Sequence, residues 1–377
     1  MTQPHLISDQ DRWEQVARRL SGWAELAIDT EANSMYAYRG RICLIQIASG
    51  ESVYLLDPLA VSDLSSLGSI LSNPSITKVM HGSDYDLRSF NREYGFEVNG
   101  LFDTETSARF LGMVSPNLAA VLLHFLDVEI PKSRRLQRSN WGLRPLSGEA
   151  VTYAAADVQH LIHLAHKQRL LLQESGRLEW VEEEFTRLEA TGRAAAELPA
   201  PDFLRVKGSD RLNPQQLAVL KELFNLREAE AERVDQPPYR VMGNDVLLHL
   251  AANPFTPLDR VPGLSPHLAR RLGAKMRAGI QRAIRGPGIQ RPARPRRVPP
   301  AREVQARQQK LKQWRSDKGT ALALDPALIW PAASLDRLAH DPESWETEVD
   351  GIGAPEVRAW QRGQFAGELE AVLRRSD

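Results

Sequence analysis

The apolar run Leu26-Ala27-Ile28 leads directly into Asp29 and Glu31, two carboxylates separated by a single residue. A β-strand points residues i and i+2 to the same face. The spacing therefore aims both acids at one spot while the residues before them tie the strand into a core. Like charges held close together and drawn away from water raise each other's free energy. A fold that keeps them so must supply a cation or a proton to share the site, and a divalent metal is the natural counter-charge. The other reading is a strand end whose acids face water independently.

Further acids along the chain bear on that choice. Asp86 lies in His81-Gly82-Ser83-Asp84-Tyr85-Asp86-Leu87, after a short strand-like Lys78-Val79-Met80, and opens a helix running through Phe90. Tyr153-Ala154-Ala155-Ala156-Asp157 is an alanine-rich helical stretch in which positions i and i+4 share a face, so a phenol and a carboxylate project together. A tyrosine followed four positions later by an aspartate is common in helices and carries little alone. In order, these elements make a pattern of four acids and one tyrosine.

That pattern resembles the DEDD exonucleases of the tyrosine subtype, and within them the ribonuclease D family. The resemblance spans the N-terminal half and rests on Asp29-Thr30-Glu31, Tyr38 to Ile47, His81 to Asp86, Phe102-Asp103-Thr104 and Tyr153 to Asp157. It also takes in Ser139-Asn140-Trp141-Gly142-Leu143-Arg144-Pro145-Leu146, where Asn140 stands in place of the family's usual aspartate. That replacement leaves the four acids intact and puts a local hydrogen bond or helix start in question. The resemblance implies an α/β ribonuclease H-like exonuclease domain with a mixed sheet flanked by helices. It also implies a metal-dependent 3′-5′ exoribonuclease that releases 5′-mononucleotides and trims the 3′ ends of tRNA or other structured RNA precursors.

Phosphodiester hydrolysis needs an activated water, a stabilised pentacoordinate phosphate and a leaving oxygen that does not depart as free alkoxide. Two divalent ions about 4 Å apart meet all three needs, and hard carboxylate ligands suit Mg²⁺ or Mn²⁺ better than Zn²⁺. By resemblance, Asp29 bridges both ions, Glu31 and Asp157 complete the site on the nucleophile's side, and Asp86 holds the other ion. Tyr153 takes the nucleophile-orienting position. A phenol with a pKa near ~10 is a poor base at neutral pH, so its expected task is to aim the attacking water.

The formal net charge is zero over 377 residues, with 25% charged and 42% hydrophobic residues, which suits two or three domains. The single cysteine, Cys43, excludes an intramolecular disulfide and reads as a buried small hydrophobe. No basic segment leads an apolar core at the N-terminus, and no apolar run approaches the ~18 residues of a membrane span, so a cytoplasmic location is the expectation.

Residues 1–190 read as the exonuclease domain and 191–208, with Pro199 and Pro201, as a linker. Residues 209–283 and 303–377 repeat one another, separated by a linker at 284–302 that carries five prolines and two glycines. A gapless shift of 88 residues aligns Leu223 with Leu311, Arg227 with Arg315, Pro238 with Pro326 and Leu247 with Leu335. The same shift aligns Leu250-Ala251 with Leu338-Ala339, Pro254 with Pro342, Val261 with Val349, Gly263 with Gly351 and Arg270 with Arg358. Both copies resemble the small all-α helicase and ribonuclease D C-terminal (HRDC) domain, a module often used to hold nucleic acid.

The copies differ in charge. From Arg260 to Arg302 there are twelve lysines or arginines and no acid, whereas residues 303–377 hold thirteen acids and ten bases. A basic stretch attracts phosphate backbone without reading sequence. Arg270, Arg271, Lys275 and Arg277 are therefore expected to hold RNA, and the second copy to serve packing or a partner. Lys132, Arg134, Arg135, Arg138 and Arg144 crowd an acid-free stretch near the Tyr153 helix and are expected to guide the strand. Tyr36 and Tyr38 read as packing residues, His81 as a hydrogen-bonded structural histidine, and Asp103 as a helix cap.

The expected partner is RNA with a free 3′ end. Nothing in four acids senses a 2′ hydroxyl, so single-stranded DNA repair remains open beside RNA. A binding scaffold on an inactive nuclease fold is a further reading, opposed by the presence of every acid and the tyrosine. Truncation after residue 205 is expected to spare catalysis on short strands and to weaken affinity for long ones.

Overall fold

The computed structural model describes residues 3–131, 133–194, 202–292 and 299–374. Lys132 lies outside them. Among the described residues no helix is long and apolar enough to cross a membrane.

The N-terminal domain is built on a sheet of order β1-β4-β3-β2-β5-β6. The strands are β1 (His5–Ile7), β2 (Glu25–Ala32), β3 (Ile42–Ser49), β4 (Ser52–Leu56), β5 (Thr77–Met80) and β6 (Leu101–Asp103). β2, β3 and β4 pair antiparallel in sequence, while β5 and β6 continue parallel to β2 and β1 runs parallel to β4. All eight residues of β3 are buried, as a central strand covered on both faces requires. Gln46 sits among them as a lone amide.

Helices flank the sheet: α1 (Gln10–Leu20), α2 (Ser65–Ser72), α3 (Asp84–Tyr94), α4 (Thr104–Phe110), α5 (Leu118–Leu126), α6 (Arg134–Gln137), α7 (Gly148–Gln159), α8 (Leu161–Glu174) and α9 (Leu178–Ala194). α1 shows the logic of the layer. Asp9 caps it through the Arg12 amide, and Trp13, Val16, Ala17 and Leu20, spaced to fall on one stripe, are its buried residues. α9 runs past the expected boundary at 190 to Ala194, because Gly192 lets it lie against α3. A β-carbon at Gly192 would stand 2.8 Å from Leu87 Cβ.

Two helical units follow. The first comprises α10 (Pro214–Arg233), α11 (Pro238–Val241), α12 (Asn244–Ala252) and α13 (Pro266–Arg285). The second comprises α14 (Arg302–Leu322), α15 (Pro326–Ile329), α16 (Ala332–His340), α17 (Trp345–Val349) and α18 (Ala359–Arg374). The 88-residue shift read from the sequence carries α11 onto α15 and α12 onto α16 residue for residue. It also superposes Gly263 and Gly351, whose φ angles of 79° and 83° lie where only glycine is free of β-carbon strain.

The units attach differently. Leu217, Leu220, Leu223, Leu250 and Met276 form a core of their own in the first, whereas Leu311, Trp330, Leu338, Trp360 and Phe365 of the second are continuous with the core of the nuclease domain. Trp360 stacks on Trp180 of α9 at 4.9 Å and meets Phe110 edge-on at 5.3 Å. Glu183 accepts the Ala359 and Trp360 amides at 2.7 and 2.9 Å, and Arg358 pairs with Glu184 at 2.8 Å. This is the packing role expected for the acidic copy, and a cut after residue 205 would strip this cover from α4 and α9. The first unit instead touches the loop after β2. Asp235 accepts the Tyr38 amide at 3.1 Å, Tyr239 donates to the Met35 carbonyl at 3.0 Å, and the Arg240 guanidinium lies 4.5 Å over the Tyr36 ring.

Candidate active site

The register of β2 and β5 explains why distant acids meet. Ala27 pairs with Val79, so β5 ends at Met80 level with Ile28, and the chain turns through His81-Gly82-Ser83 into α3 beside Asp29. Crevices beyond the carboxyl ends of parallel strands are where α/β folds place their sites. Asp86, in the first turn of α3, is 7% exposed, and its carboxylate accepts a short hydrogen bond from the Thr30 hydroxyl. α7 packs against β2, β3 and β4 and brings Asp157, 8% exposed, from the other side. Asp29 and Glu31 lie opposite Gln46 and Leu44 of β3 and are half-buried.

These acids feel one another. Burial and then the charge of Asp157 push Asp29 up to about 8. Burial, followed by Asp29, Asp157 and Asp86, pushes Glu31 up to about 10. Asp86 is raised well above the carboxylate range by burial and by Asp29. Asp157 is raised to about 7 by burial, opposed by a hydrogen bond from Tyr153. Among the described residues no three such side chains are already drawn into a cluster able to hold a metal ion. The acids share a field of repulsion rather than a closed coordination shell. A donor set of hard oxygens with excess negative charge and little water fits divalent cations.

Tyr153 is itself raised by burial, then by Asp157, Glu31 and Asp29, and is hydrogen-bonded by the Gln137 side chain of α6. The Trp141 ring lies 6.2 Å from it. Two residues that the sequence did not single out belong to this neighbourhood. One is Gln137. The other is Gln46, fully buried opposite Asp29, with neither Oε1 nor Nε2 partnered among the described residues. A polar residue inside an otherwise apolar strand was the available signal for Gln46, whereas the approach of α6 to Tyr153 is a tertiary event.

The structure gives Arg144, one of the expected RNA contacts, partners within the fold. Arg144 closes a bidentate pair on Asp57 at 2.5 and 2.7 Å and donates to the carbonyls of Trp141, Leu143 and Cys43 at 2.6–2.9 Å. Its guanidinium is spent inside the fold, holding the 141–144 loop against the end of β4. Arg135 pairs with Glu149 at the surface, while Arg134 and Arg138 are exposed with no side-chain ion pair among the described residues. In the first helical unit Arg271 is engaged with Glu230 at 2.7 Å, and Lys275 acts on the same carboxylate through its charge. Arg270 and Arg277 are exposed.

Other expectations fare as follows. Tyr36 donates to the Arg138 carbonyl at 2.5 Å and supports Arg240, and Tyr38 sits beside Glu228, so both serve packing between units. His81 Nδ1 pairs with the Thr104 hydroxyl at 2.9 Å. Asp103 caps α4 through the Thr106 amide at 2.7 Å and also accepts the Ser83 amide at 2.7 Å. Asn140 Oδ1 accepts the Gly142 amide at 3.1 Å, so a local turn survives the replacement of aspartate.

The sequence matches the 3′-5′ exonuclease family over residues 4–173 and the HRDC domain over residues 216–280. Ribonuclease D of Gluconacetobacter diazotrophicus is 31% identical, across 98% of this chain and 92% of that protein. The crystal structure of Escherichia coli RNase D shares the fold, with a TM-score of 0.72 at 24% identity over 99% of both chains. The catalytic core of RRP6 from Trypanosoma brucei matches with a TM-score of 0.67 at 26% identity, over 75% of this chain and 80% of that one.

Proposed function

This chain belongs to the ribonuclease D family of 3′-5′ exoribonucleases, and from that premise we propose that Asp29, Glu31, Asp86 and Asp157 hold a pair of divalent cations, Mg²⁺ or Mn²⁺, at the centre that acts on RNA. The product is a 5′-mononucleotide taken from the 3′ end, and the substrates are structured RNA precursors, tRNA among them. One observation carries the reading: β2, α3 and α7 bring four acids into a common field, Asp86 and Asp157 buried and Asp29 and Glu31 half-buried, and a phenol is hydrogen-bonded to one of them. The cations, when bound, supply the positive charge that keeps the acids ionised, lowers the pKa of water and stabilises the departing 3′ oxygen.

The chain's own groups do the positioning. Thr30 fixes the Asp86 carboxylate by donating its hydroxyl. Tyr153 stays a neutral phenol at physiological pH because burial and three carboxylates disfavour its anion, so it acts as a hydrogen-bonding guide and not as a base. Gln137 holds the phenol oxygen from the side opposite Asp157 in sequence, and Arg144 anchors the loop carrying Trp141 beside it. Both helical units are read as HRDC domains, the first holding RNA and the second buttressing the nuclease.

The test compares wild type with Asp29→Asn on a labelled RNA carrying a free 3′ end, with Mg²⁺ or Mn²⁺. Asp29→Asn is expected to retain RNA binding and lose cleavage. Equal residual activity in the two proteins refutes the metal-site reading. Parallel RNA and DNA strands of one sequence measure the sugar preference, and faster turnover on DNA would overturn the choice of RNA.

A further inference from the structure

Phe255, between α12 and the turn at Leu258–Arg260, is 84% exposed. It lines a cleft of about 330 Å³ whose opposite wall is α13, through Arg277, Ile280, Gln281 and Ile284. Arg270, Arg277, Gln281 and Arg285 follow one another at helical spacings of seven, four and four, which places them on a single face. All four are exposed, and Arg270, Arg277 and Arg285 make no ion pair among the described residues. Asp259 is the one acid on the cleft. An uncovered aromatic ring beside a row of unpaired arginines is the combination that binds single-stranded nucleic acid, with base on ring and phosphate on guanidinium.

The second copy provides an internal contrast. The 88-residue shift places Glu343 where Phe255 stands, and Arg358 where Arg270 stands. Arg358 is committed to Glu184 of the nuclease domain. The cleft is thus a property of the copy whose basic face is left open.

Its position sets a length requirement. The C-terminal end of α10 adjoins the nuclease loop through Asp235, whereas Gln216, near the other end, donates to the Ala252 carbonyl at 3.2 Å, just before Phe255. A 20-residue helix spans about 30 Å. An RNA strand stacked at about 3.4 Å per nucleotide covers that distance with roughly nine nucleotides.

We infer that this cleft is a stacking site for a base of single-stranded RNA upstream of the 3′ end, with Phe255 under the base and Arg270, Arg277 and Arg285 along the phosphates. The inference rests on the reading of the acids as an RNA 3′-end site. The experiment uses the full chain held metal-free with chelator and three fluorescent probes: an oligoadenylate of about twenty nucleotides, an abasic strand of the same length and charge, and a four-nucleotide oligoadenylate. Wild type is expected to prefer the long oligoadenylate over the abasic strand. Phe255→Ala is expected to lose about ten-fold in affinity for the long oligoadenylate only, Phe255→Trp to retain it, and Arg277→Ala to weaken both long strands and reduce the salt dependence. Melting curves of the variants control for folding. Unchanged affinity in Phe255→Ala, or an equal loss on the abasic strand, overturns the stacking site, and the Asp29→Asn cleavage assay reports separately on the reading beneath it.

Discussion

Gln46 stands directly across the β2–β3 ladder from Asp29, with its amide buried and unpartnered among the described residues. An unsatisfied buried polar group costs about 1–3 kcal/mol. Gln46→Met, of similar volume, is therefore expected to stabilise the metal-free protein by roughly 1 kcal/mol while lowering turnover and raising the Mn²⁺ concentration needed for activity. Denaturant melts and a Mn²⁺ titration check this. A variant that is less stable than wild type and equally active would remove Gln46 from the site.

The acids make a signed prediction for pH. Asp29 at about 8 and Asp157 at about 7 lie above the ordinary carboxylate value of 3.8, so the folded protein binds more protons than the unfolded chain between those limits. The contribution of these two acids to the stability of the metal-free protein then falls as pH rises from about 4 to 8. Mn²⁺ is expected to raise the melting temperature more at about pH 8 than at about pH 5, and Asp29→Asn to flatten the metal-free dependence. A metal-free melting temperature that climbs across this window in wild type, and equally in Asp29→Asn, contradicts the assignment.

Arg144 separates a structural role from an RNA contact. Asp57 is 4% exposed, so losing its partner leaves a buried charge. Arg144→Ala is expected to cost about 2–3 kcal/mol, less than for a wholly buried pair because the Arg144 side chain is 28% exposed. Arg144→Lys should rescue little, since an ammonium cannot make the bidentate pair. The salt slope of RNA binding should stay at the wild-type value, and a slope reduced by about one would restore Arg144 to the RNA path.

Trp360 joins the second helical unit to the nuclease domain. Trp360→Ala is expected to destabilise by about 3–4 kcal/mol through lost burial against Trp180 and Phe110. The same loss should lower the melting temperature of the exonuclease domain along with that of the unit. A melt in which only the C-terminal helices respond would show that the two do not share a core.

Much of this arrangement was legible in the chain. The two-residue spacing at Asp29 and Glu31, the four-residue spacing at Tyr153 and Asp157, and the 88-residue repeat are local or periodic signals, and the helices and strands carry them as expected. The Arg144–Asp57 pair was not legible because a cluster of basic residues looks the same whether its charges face solvent or a buried aspartate 87 positions away. Gln137 and the seat of Trp360 on Trp180 escaped for the same reason. Neither partner lies within reach along the sequence, and only packing brings them together.

The continuity between α18 and α9 also orders events during synthesis. The nuclease sequence leaves the ribosome first, but the patch around Phe110 and Trp180 stays bare until Trp360 has been made. A chain released before Trp360 would keep that sticky patch uncovered, so α18 acts as a seal on a domain whose acids were finished some two hundred positions before.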